Sequence, residues 1–561
     1  MNWCDEMKLT EKKIKTPAAV GLADSPAGTA GASEACGEFS ILNLHGEDFI
    51  GDDGGETEAF YQDLNLLPVI DKMTLARWKS VRKLFFYLPK SAEDTAYRRA
   101  VYADVKKEPV YRALLAFTEK AAAVQELIRE KERTSNPLQR TVWKLREAGA
   151  YISAFEELAE VLSGAEPASD GMREFLRILT ELLEDGGYRR MREETQRLLS
   201  EIRGIRFVVT YEKDRIRVEP VEDSAPGRLR TAEGAAEERR PAGEAASHEA
   251  TCEEWLSLFD GGELAGMSNP FVTDSVLSEI ESACLDLLKE KKPDFFRTLE
   301  RAAEYETSYA RPVLSRFERE IPFYLAFRGF QLEMEREGFA FATPAADGEA
   351  PMEAKGLYDI ALALASYPEG RPVISNDFYY GEGERFFVLT GPNQGGKTTF
   401  ARSLGQLVFF AAMGLDVPAK SANVPFFAKI RSHFSVEESA ESGRGKLMEE
   451  LVRLAPMMRE EERGSFVIIN ELFTTAANYD AQIMGKRVLS HFLALDCRGI
   501  YVTHLAELAE ENAGIVSLRA MLDAQGVPNF EIRRGSPEDT VCAAGTVGKY
   551  RLTYGQLKER L

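Results

Sequence analysis

Cysteine is scarce in this chain, which carries six in 561 residues. They form no C-x-x-C pair and are scattered, at Cys4, Cys36, Cys252, Cys284, Cys497 and Cys542. A disulfide framework or a zinc site needs closer and more regular spacing than this. We therefore expect free thiols in a reducing compartment.

The sequence also lacks the segments that carry proteins into or through membranes. No apolar run reaches the length that spans a bilayer. The first residues lack the basic stretch and apolar run of a secretory signal. Together with the free thiols, these absences predict a cytoplasmic protein without a membrane partner.

Positive charge is in deficit. Lysine and arginine number 70 against 91 aspartates and glutamates, which gives a net charge of −21. A protein that binds nucleic acid over its whole surface is usually basic. Any nucleic-acid binding here must therefore use local basic patches.

The sequence does contain a complete phosphate-binding pattern. Phe386–Thr390 is apolar and β-prone, which predicts a buried strand. Gly391–Thr398, with the sequence GPNQGGKT, then fits the pattern G-x-x-x-x-G-K-[ST]. Apolar residues follow at helical spacing up to a predicted helix end at Gly414; they are Phe400, Leu404, Leu407, Val408 and Ala411.

The order of strand, glycine loop and helix has a physical purpose. Glycines let backbone N–H groups turn towards phosphates, and the helix N-terminus adds positive potential. Lys397 would neutralise the β and γ phosphates, and the Thr398 hydroxyl would ligate Mg²⁺. A chance match to the bare pattern has a probability of roughly one in fifty from typical residue usage. The flanking strand and helix lower it further.

Two more apolar runs end in polar residues. Ser465–Asn470 is followed by Glu471, whose carboxylate can orient an attacking water at the edge of a sheet. Gly499–Val502 is followed by Thr503 and His504. A structural role is the usual one for a single histidine, but a position after a third strand favours γ-phosphate sensing for His504 by about two to one.

The rest of the chain is read from composition and periodicity. Apolar stripes at helical spacing indicate a helical bundle, and Ile205–Thr210 with Arg215–Val218 predicts a β-hairpin. The polar stretch after the hairpin carries Arg228, Arg230, Arg239 and Arg240, which we interpret as part of a solvated loop rather than a phosphate contact, by about three to one. The predicted parts are a disordered or low-complexity segment (1–57), a helical domain (58–204), a hairpin and flexible insertion (205–270), long helices (271–342) and a domain that carries the phosphate loop (355–561).

Several stretches together resemble one family. They are TGPNQGGKTT for TGPNMGGKST, GLDVPA for G-x-x-V-P-A, ESGRGKLMEEL for ASGRSTFMVEM, NELFTTAANYDA for DEIGRGTSTYDG, and VTHLAEL for ATHYFEL. The family that carries these motifs is MutS, the ABC-type ATPases of DNA mismatch repair. The resemblance is strong over 370–510. It implies an α/β P-loop (ABC-type) ATPase domain, preceded by a mostly α-helical core and lever region with a small β-containing clamp insertion.

The resemblance also implies a site shared by two copies of the chain, a homodimer through the ATPase domains. ATP would bind the loop of one subunit, and Ser442, Gly443 and Gly445 of the other subunit would close over it. Lys397, Glu471 and His504 would be catalytic, with Glu471 positioning water and His504 acting as the switch. Thr398 and Asn470 would hold Mg²⁺. The ATP-binding residues would be Gly391, Pro392, Asn393, Gln394, Gly395, Gly396, Lys397, Thr398 and Thr399.

This sequence departs from the family pattern at several points. Asn470 replaces the family's strand-end aspartate, and a neutral amide binds the Mg²⁺ hydration shell less well, so we expect slow hydrolysis. Gly445 replaces the trans-acting serine and removes a hydroxyl donor. Phe473–Ala477 replaces the family's G-R-G-T-S run. No mismatch-probing N-terminal domain and no endonuclease-like tail are evident in the sequence.

The resemblance favours an ATPase that binds mismatched, duplex or branched DNA and opens and closes a dimeric clamp, in repair or recombination. The acidic balance favours an alternative, an ATP-driven switch acting on a ribosome or a protein partner without mismatch recognition. A third hypothesis is a degenerate ATPase with a structural role. Asn470 and Gly445 favour it, whereas the retention of Lys397, Thr398, Glu471 and His504 does not.

Overall fold

The computed structural model describes a helical region and the α/β domain that follows it. The described residues are 39–44, 58–75, 77–133, 137–204, 206–212, 215–220, 246–251, 286–302, 312–348, 350–435, 445–509, 514–536 and 558. Within these ranges, no helix combines the length and the apolar character needed to cross a bilayer.

Helices dominate the chain as far as Arg336. Serine residues begin two of them, because the Ser91 hydroxyl accepts the Asp94 N–H and the Ser169 hydroxyl accepts the Met172 N–H. The helices are α1 (Glu58–Asp63), α2 (Leu67–Thr74), α3 (Ala92–Val105), α4 (Glu108–Arg133), α5 (Pro137–Ala165), α6 (Asp170–Glu184), α7 (Gly186–Gly204), α8 (Pro293–Ala302), α9 (Pro312–Glu320) and α10 (Pro322–Arg336), with a 3₁₀ helix at Lys79–Phe86.

The predicted hairpin is present as β1 (Arg206–Glu212) and β2 (Arg215–Pro220), paired antiparallel with Val209 opposite Val218. A third strand, β3 (Ala246–Thr251), pairs with the other edge of β1. The sequence analysis places β3 in a flexible insertion, because ASHEAT has no apolar alternation to indicate a strand. The arginines Arg228 to Arg240 lie outside the described residues.

Within the described part of 271–342, the observed helices have other bounds than the predicted lever helices. Pro312 and Pro322 each begin a new helix, so the apolar pattern is divided into two short elements. Phe323, Tyr324 and Phe327 on α10 are fully buried. Pro322–Arg336 therefore packs into the core, and the lever role of 271–342 stays a prediction.

Part of the predicted low-complexity segment 1–57 is also buried. Ile41 and Leu42 lie in the core. The Ser40 hydroxyl donates to Glu320 Oε2 at 2.7 Å, and Arg98 Nε donates to the Leu42 carbonyl at 2.8 Å. The apolar residues of FSILNL are too few to offset the Gly- and Ala-rich composition around them, so composition alone missed them. The rest of that segment lies outside the described residues.

The α/β domain alternates strands and helices. A six-stranded sheet lies at its centre, and a three-stranded antiparallel sheet in the order β5-β4-β7 lies beside it. The elements are β4 (Glu353–Leu357), α11 (Ile360–Ser366), β5 (Asn376–Tyr379), β6 (Phe386–Thr390), α12 (Lys397–Ala412), β7 (Ser421–Asn423), β8 (Ile430–Phe434), α13 (Lys446–Met457), β9 (Phe466–Asn470), α14 (Asn478–Ala494), β10 (Arg498–Val502), β11 (Ile515–Leu522) and β12 (Pro528–Arg534), with 3₁₀ turns at Tyr367–Glu369, Glu460–Glu462 and Ala506–Ala509.

The central sheet confirms the three predicted strands as β6, β9 and β10. Its order is β12-β11-β6-β10-β9-β8, and every neighbouring pair except β11 and β12 is parallel. Val502 lies opposite both Leu389 and Asn470. The carboxyl ends of the three strands therefore meet at one edge, which is where parallel α/β sheets bind ligands.

The helix after the glycine loop, α12, joins the two regions. Its residues Phe409 and Phe410 are fully buried, and the core continues without a break from the sheet into α2, α3 and α10. Gly414 ends α12 with φ of +76°, as the sequence predicts. A side chain at Gly414 would place its Cβ 2.6 Å from Arg98 Cβ, so glycine permits the close approach of α3.

A buried histidine lies on the outer strand β8. His433 has no exposed surface, and its Nε2 lies 3.2 Å from the Glu450 carbonyl oxygen on α13. Burial lowers the pKa of His433 to about 4. An unfolded histidine takes up a proton near pH 6.5. Between these pH values the unfolded state binds the extra proton, so the free energy of unfolding falls as the pH falls.

This difference in proton uptake gives a testable acid sensitivity. Replacing His433 with glutamine (His433→Gln) keeps a donor for the Glu450 carbonyl and removes the titration. Between pH 7 and pH 5 we expect the free energy of unfolding to fall by about 2 kcal/mol less in the variant than in the parent. Urea unfolding at the two pH values measures this. Equal losses in both proteins would contradict the assignment.

Candidate functional site

The glycine loop lies at the sheet edge where β6 ends and α12 begins. Gly391 has φ of +130° and Gly396 has φ of +86°, conformations that side chains rarely adopt. A Cβ at Gly391 would also lie 3.1 Å from the backbone nitrogen and oxygen of Ala520. The two glycines therefore allow the loop to wrap around the N-terminus of α12, where backbone N–H groups are available to an anion.

Lys397 lies at the first turn of α12 and is 4% exposed. Its Nζ donates to the carbonyl oxygens of Gly391 at 2.9 Å and Pro392 at 3.0 Å. The ammonium group is thus held across the opening of its own loop. In that position it can neutralise a phosphate bound there.

Thr398 and Asn470 meet although 72 positions separate them in the chain. The Thr398 hydroxyl donates to Asn470 Oδ1 at 3.0 Å. Mg²⁺ takes oxygen ligands, and the protein usually supplies only one or two of them. The two neutral oxygen atoms at the end of this phosphate loop suit such an ion. These two residues could hold the ion, as the sequence predicts.

Glu471 and His504 form the second polar pair at this edge. His504 Nε2 lies 2.9 Å from Glu471 Oε1, with the two side chains 46% and 28% exposed. The hydrogen bond from His504 is the largest cause that lowers the pKa of Glu471, and the positive charges of Lys397 and Lys446 add to it. Glu471 is therefore held as a carboxylate that water can reach.

These groups surround one open cleft of about 760 Å³. Its far wall contains apolar side chains that the sequence analysis missed. Phe530, Ile374 and Leu362 are 48%, 45% and 41% exposed and line it. Phe530 comes from the outer strand β12 and Ile374 from the loop before β5, so no motif of the glycine loop marks them.

Asn376 fixes the position of Phe530. Its Nδ2 donates to the Phe530 carbonyl at 3.2 Å, and its Oδ1 accepts the Ile532 N–H at 2.7 Å. Phe530 has φ of +63°, an uncommon conformation for a bulky residue. The aromatic ring therefore stands at the mouth of the cleft, within 3.4 Å of where a Cβ on Gly396 would lie.

The structure brings most of the predicted site residues together. Asn470 lies at the end of β9 beside them, and Gly391 and Pro392 form the base of the loop. Gly445 lies elsewhere, exposed at the N-terminus of α13, and Ser442 and Gly443 fall outside the described residues. Those that line the cleft are Asn393, Gln394, Gly395, Gly396, Lys397, Thr398, Thr399, Glu471 and His504.

Comparison with known proteins agrees with this geometry. The MutS domain V family matches residues 387–527. The chain is 29% identical over 237 residues to the DNA mismatch repair protein MSH6 of Arabidopsis thaliana, covering 42% of this chain and 18% of that protein. It is 31% identical over 160 residues to the DNA mismatch repair protein MutS of Sorangium cellulosum, covering 28% and 16%. The DNA mismatch repair protein MutS of Dinoroseobacter shibae is 28% identical over 206 residues, covering 35% and 24%.

Residues 387–527 therefore belong to the MutS domain V family, an ABC-type ATPase domain. The matches cover at most 24% of the length of these three relatives. The conclusions that follow from the family match are therefore limited to the ATPase domain.

Lys397 provides the most direct test of the nucleotide site. Replacing it with alanine (Lys397→Ala) should weaken nucleotide binding more than about 100-fold, because charged hydrogen bonds to phosphate contribute about 3 kcal/mol. Titration with a fluorescent ATP analogue measures the affinity. Lys420→Ala, which removes an exposed lysine outside the cleft, is the matched control. Unchanged affinity in Lys397→Ala would refute the site.

Proposed function

We propose that this protein is a MutS-like ATPase that uses ATP binding and hydrolysis to open and close a dimeric clamp on DNA, in repair or recombination. The observation that supports the enzymatic part is the convergence of Lys397, the Thr398–Asn470 pair and the Glu471–His504 pair on one cleft. Phosphoryl transfer to water uses a phosphate-binding cation, metal ligands and a carboxylate that orients water, so this convergence supports the proposal.

We infer one orientation for ATP in this cleft from the groups that line it. Its phosphates would lie on the N–H groups of the glycine loop and against Lys397, and its base would lie towards Phe530 and Ile374. Aromatic and apolar walls with a few fixed polar groups are typical of nucleotide pockets. Mg²⁺ held by Thr398 and Asn470 would neutralise charge on the β and γ phosphates.

Glu471 is the residue we assign to the attacking water. Its Oε1 is engaged by His504, so Oε2 is the oxygen that can accept a hydrogen bond from water. His504 keeps the carboxylate oriented and lies where it can detect the γ-phosphate. Positioning of the nucleophile is a main contribution of the protein in phosphoryl transfer, and this pair would supply it.

The far end of α12 offers a route from the nucleotide to the helical region. The Thr95 hydroxyl donates to the Ala412 carbonyl at 3.0 Å. Asp416 accepts from Lys106 Nζ at 2.9 Å and from Gln331 Nε2 at 3.0 Å. A movement of α12 on ATP binding would therefore act on α3 and α10, which supports an ATP-driven change of the helical region.

Exposed apolar side chains support a homodimer through the ATPase domains. Met448 and Val452 are 55% and 48% exposed and lie one turn apart on α13, directly after the predicted trans segment that ends at Gly445. Tyr479 and Ile483 are 72% and 36% exposed and lie one turn apart on α14. Exposed apolar pairs of this kind mark association surfaces.

DNA as the partner rests on the names of the distant relatives, which are DNA mismatch repair proteins. A second candidate function, a switch on a ribosome or protein partner, is favoured by the net charge of −21. Acidic surfaces repel nucleic-acid phosphates at long range. Direct binding measurements separate the two.

Asn470 predicts slow turnover. Replacing it with aspartate (Asn470→Asp) should raise steady-state phosphate release about tenfold, because a carboxylate holds the metal and its water more firmly than an amide. Glu471→Gln should bind ATP but release almost no phosphate in either background, and serves as the inactive control. A parent enzyme faster than Asn470→Asp would contradict the role of Asn470.

DNA binding through the insertion predicts a steep salt dependence. We expect a preference for a four-way junction over matched or mismatched duplex, because shape would be read rather than a mispaired base. Fluorescence anisotropy titrations of the three DNAs at several salt concentrations measure this. The DNA proposal assigns Arg228, Arg230, Arg239 and Arg240 to phosphate contact, in place of the solvated loop that composition favours. Alanine at all four should then reduce the slope of log K against log salt by up to about 4.

Alanine at four exposed arginines elsewhere provides the matched control; these are Arg173, Arg177, Arg459 and Arg463. Their loss should leave the slope nearly unchanged. A preference for mismatched duplex would contradict recognition by shape. Absence of binding to all three DNAs would favour the ribosome or protein partner.

A further inference from the structure

A buried carboxylate on α13 contacts the chain just after Glu471. Glu450 is 2% exposed. Its Oε2 accepts the backbone N–H of Phe473 at 2.9 Å. Its Oε1 has no hydrogen-bond partner in the described part of the chain. Burying a carboxylate is costly, and an apolar side chain would pack here as Leu454 and Met457 do on the same helix.

The segment that Glu450 holds has an unusual backbone. Glu471 has φ of +58° and Phe473 has φ of +62°, so two residues that are not glycine adopt the left-handed conformation within three positions. Such a conformation persists only where the surroundings impose it. The Glu471 N–H is fixed by the Val502 carbonyl at 2.9 Å, which leaves the Phe473 N–H as the next fixed point along the turn.

The helix that carries Glu450 is itself firmly anchored. Arg453 donates from Nη2 to Asp63 Oδ2 at 2.8 Å and from Nη1 to the Phe434 carbonyl at 3.1 Å. The backbone of Glu450 also contacts His433 through its carbonyl oxygen. A side chain fixed on a held helix can determine where a neighbouring turn lies.

We propose that Glu450 is a positioning residue for hydrolysis: by accepting the Phe473 N–H it holds the turn that aims Glu471 at the attacking water. The inference rests on the proposed ATPase function. Glu450 does not line the cleft. It acts on the chemistry only through the backbone of the turn, so its loss should affect turnover and spare nucleotide affinity.

The test compares substitutions that differ in hydrogen-bond capacity and reach. Glu450→Met removes the acceptor at similar volume, and Glu450→Asp keeps the charge but withdraws it by one methylene. Both should lower the rate of single-turnover ATP hydrolysis by about 10- to 100-fold, since misplacement by an ångström has effects of this size. Affinity for a non-hydrolysable ATP analogue should change less than about threefold. Glu450→Gln, whose amide oxygen can accept the same N–H, should hydrolyse within about threefold of the parent.

Glu462→Met controls for the general loss of a buried carboxylate. Glu462 lies near the start of β9, away from the cleft, and pairs with Arg431 at 2.8 Å. It should lower the melting temperature without changing hydrolysis well below that temperature. If Glu450→Met does not fold, the Asp and Gln variants decide the matter.

Each outcome has a defined meaning. Slow hydrolysis in the Met and Asp variants with rescue by Gln supports the proposal. The proposal would be overturned if Glu450→Asp hydrolysed ATP at the parental rate or if Glu450→Gln hydrolysed it slowly. It would also be overturned if nucleotide affinity fell together with the hydrolysis rate. A parent protein that does not hydrolyse ATP would refute the proposed function instead, so the two failures are distinguishable.

Discussion

The burial of α12 is the constraint on which the rest of the structure depends. The helix lies in a core shared by the sheet and the helical region, and both of its ends meet polar groups. At one end the glycine loop and Lys397 face the cleft, and at the other Thr95 binds the Ala412 carbonyl. Close-packed interiors do not deform continuously. The phosphate loop therefore cannot shift along the helix axis without a response from α3 and α10.

The cleft is also where the backbone departs most from relaxed conformations. Among the described residues, seven that are not glycine have positive φ, and Gln394, Glu471, Phe473 and Phe530 lie in or beside the cleft. Each such residue costs about 1–3 kcal/mol, which the surroundings must offset. Individual hydrogen bonds stabilise these conformations. Asn376 holds the strand of Phe530, and Glu450 holds the turn after Glu471. Shape at this edge is thus imposed by neighbours distant in sequence.

The sequence predicted the parts of this site that local patterns encode. The loop from Gly391 to Thr398 and the three buried strands follow from motif and strand order, and the structure has them where the sequence predicts them. The roles of the edge residues stay predictions. Phe530 and Asn376 were missed because their role depends on how β5 and β12 pack, which no spacing reveals. The core position of α10 was missed because apolar periodicity shows that a helix has a buried face but not what covers it. The burial of Ile41 and Leu42 was missed because the composition was averaged over a mostly polar segment.

Asn470 changes the electrostatics of the edge in two opposing ways. An aspartate there would stand next to Glu471 in sequence, and nearby like charges favour protonation of one of them. With a neutral amide at 470, the carboxylate of Glu471 meets His504 and the positive charges of Lys397 and Lys446, and its pKa is lowered. The same neutrality removes a full negative charge from the proposed metal site. In the proposed ATPase, this arrangement would keep the carboxylate assigned to water ionised at the expense of metal affinity. That balance is the physical basis for the slow turnover proposed above.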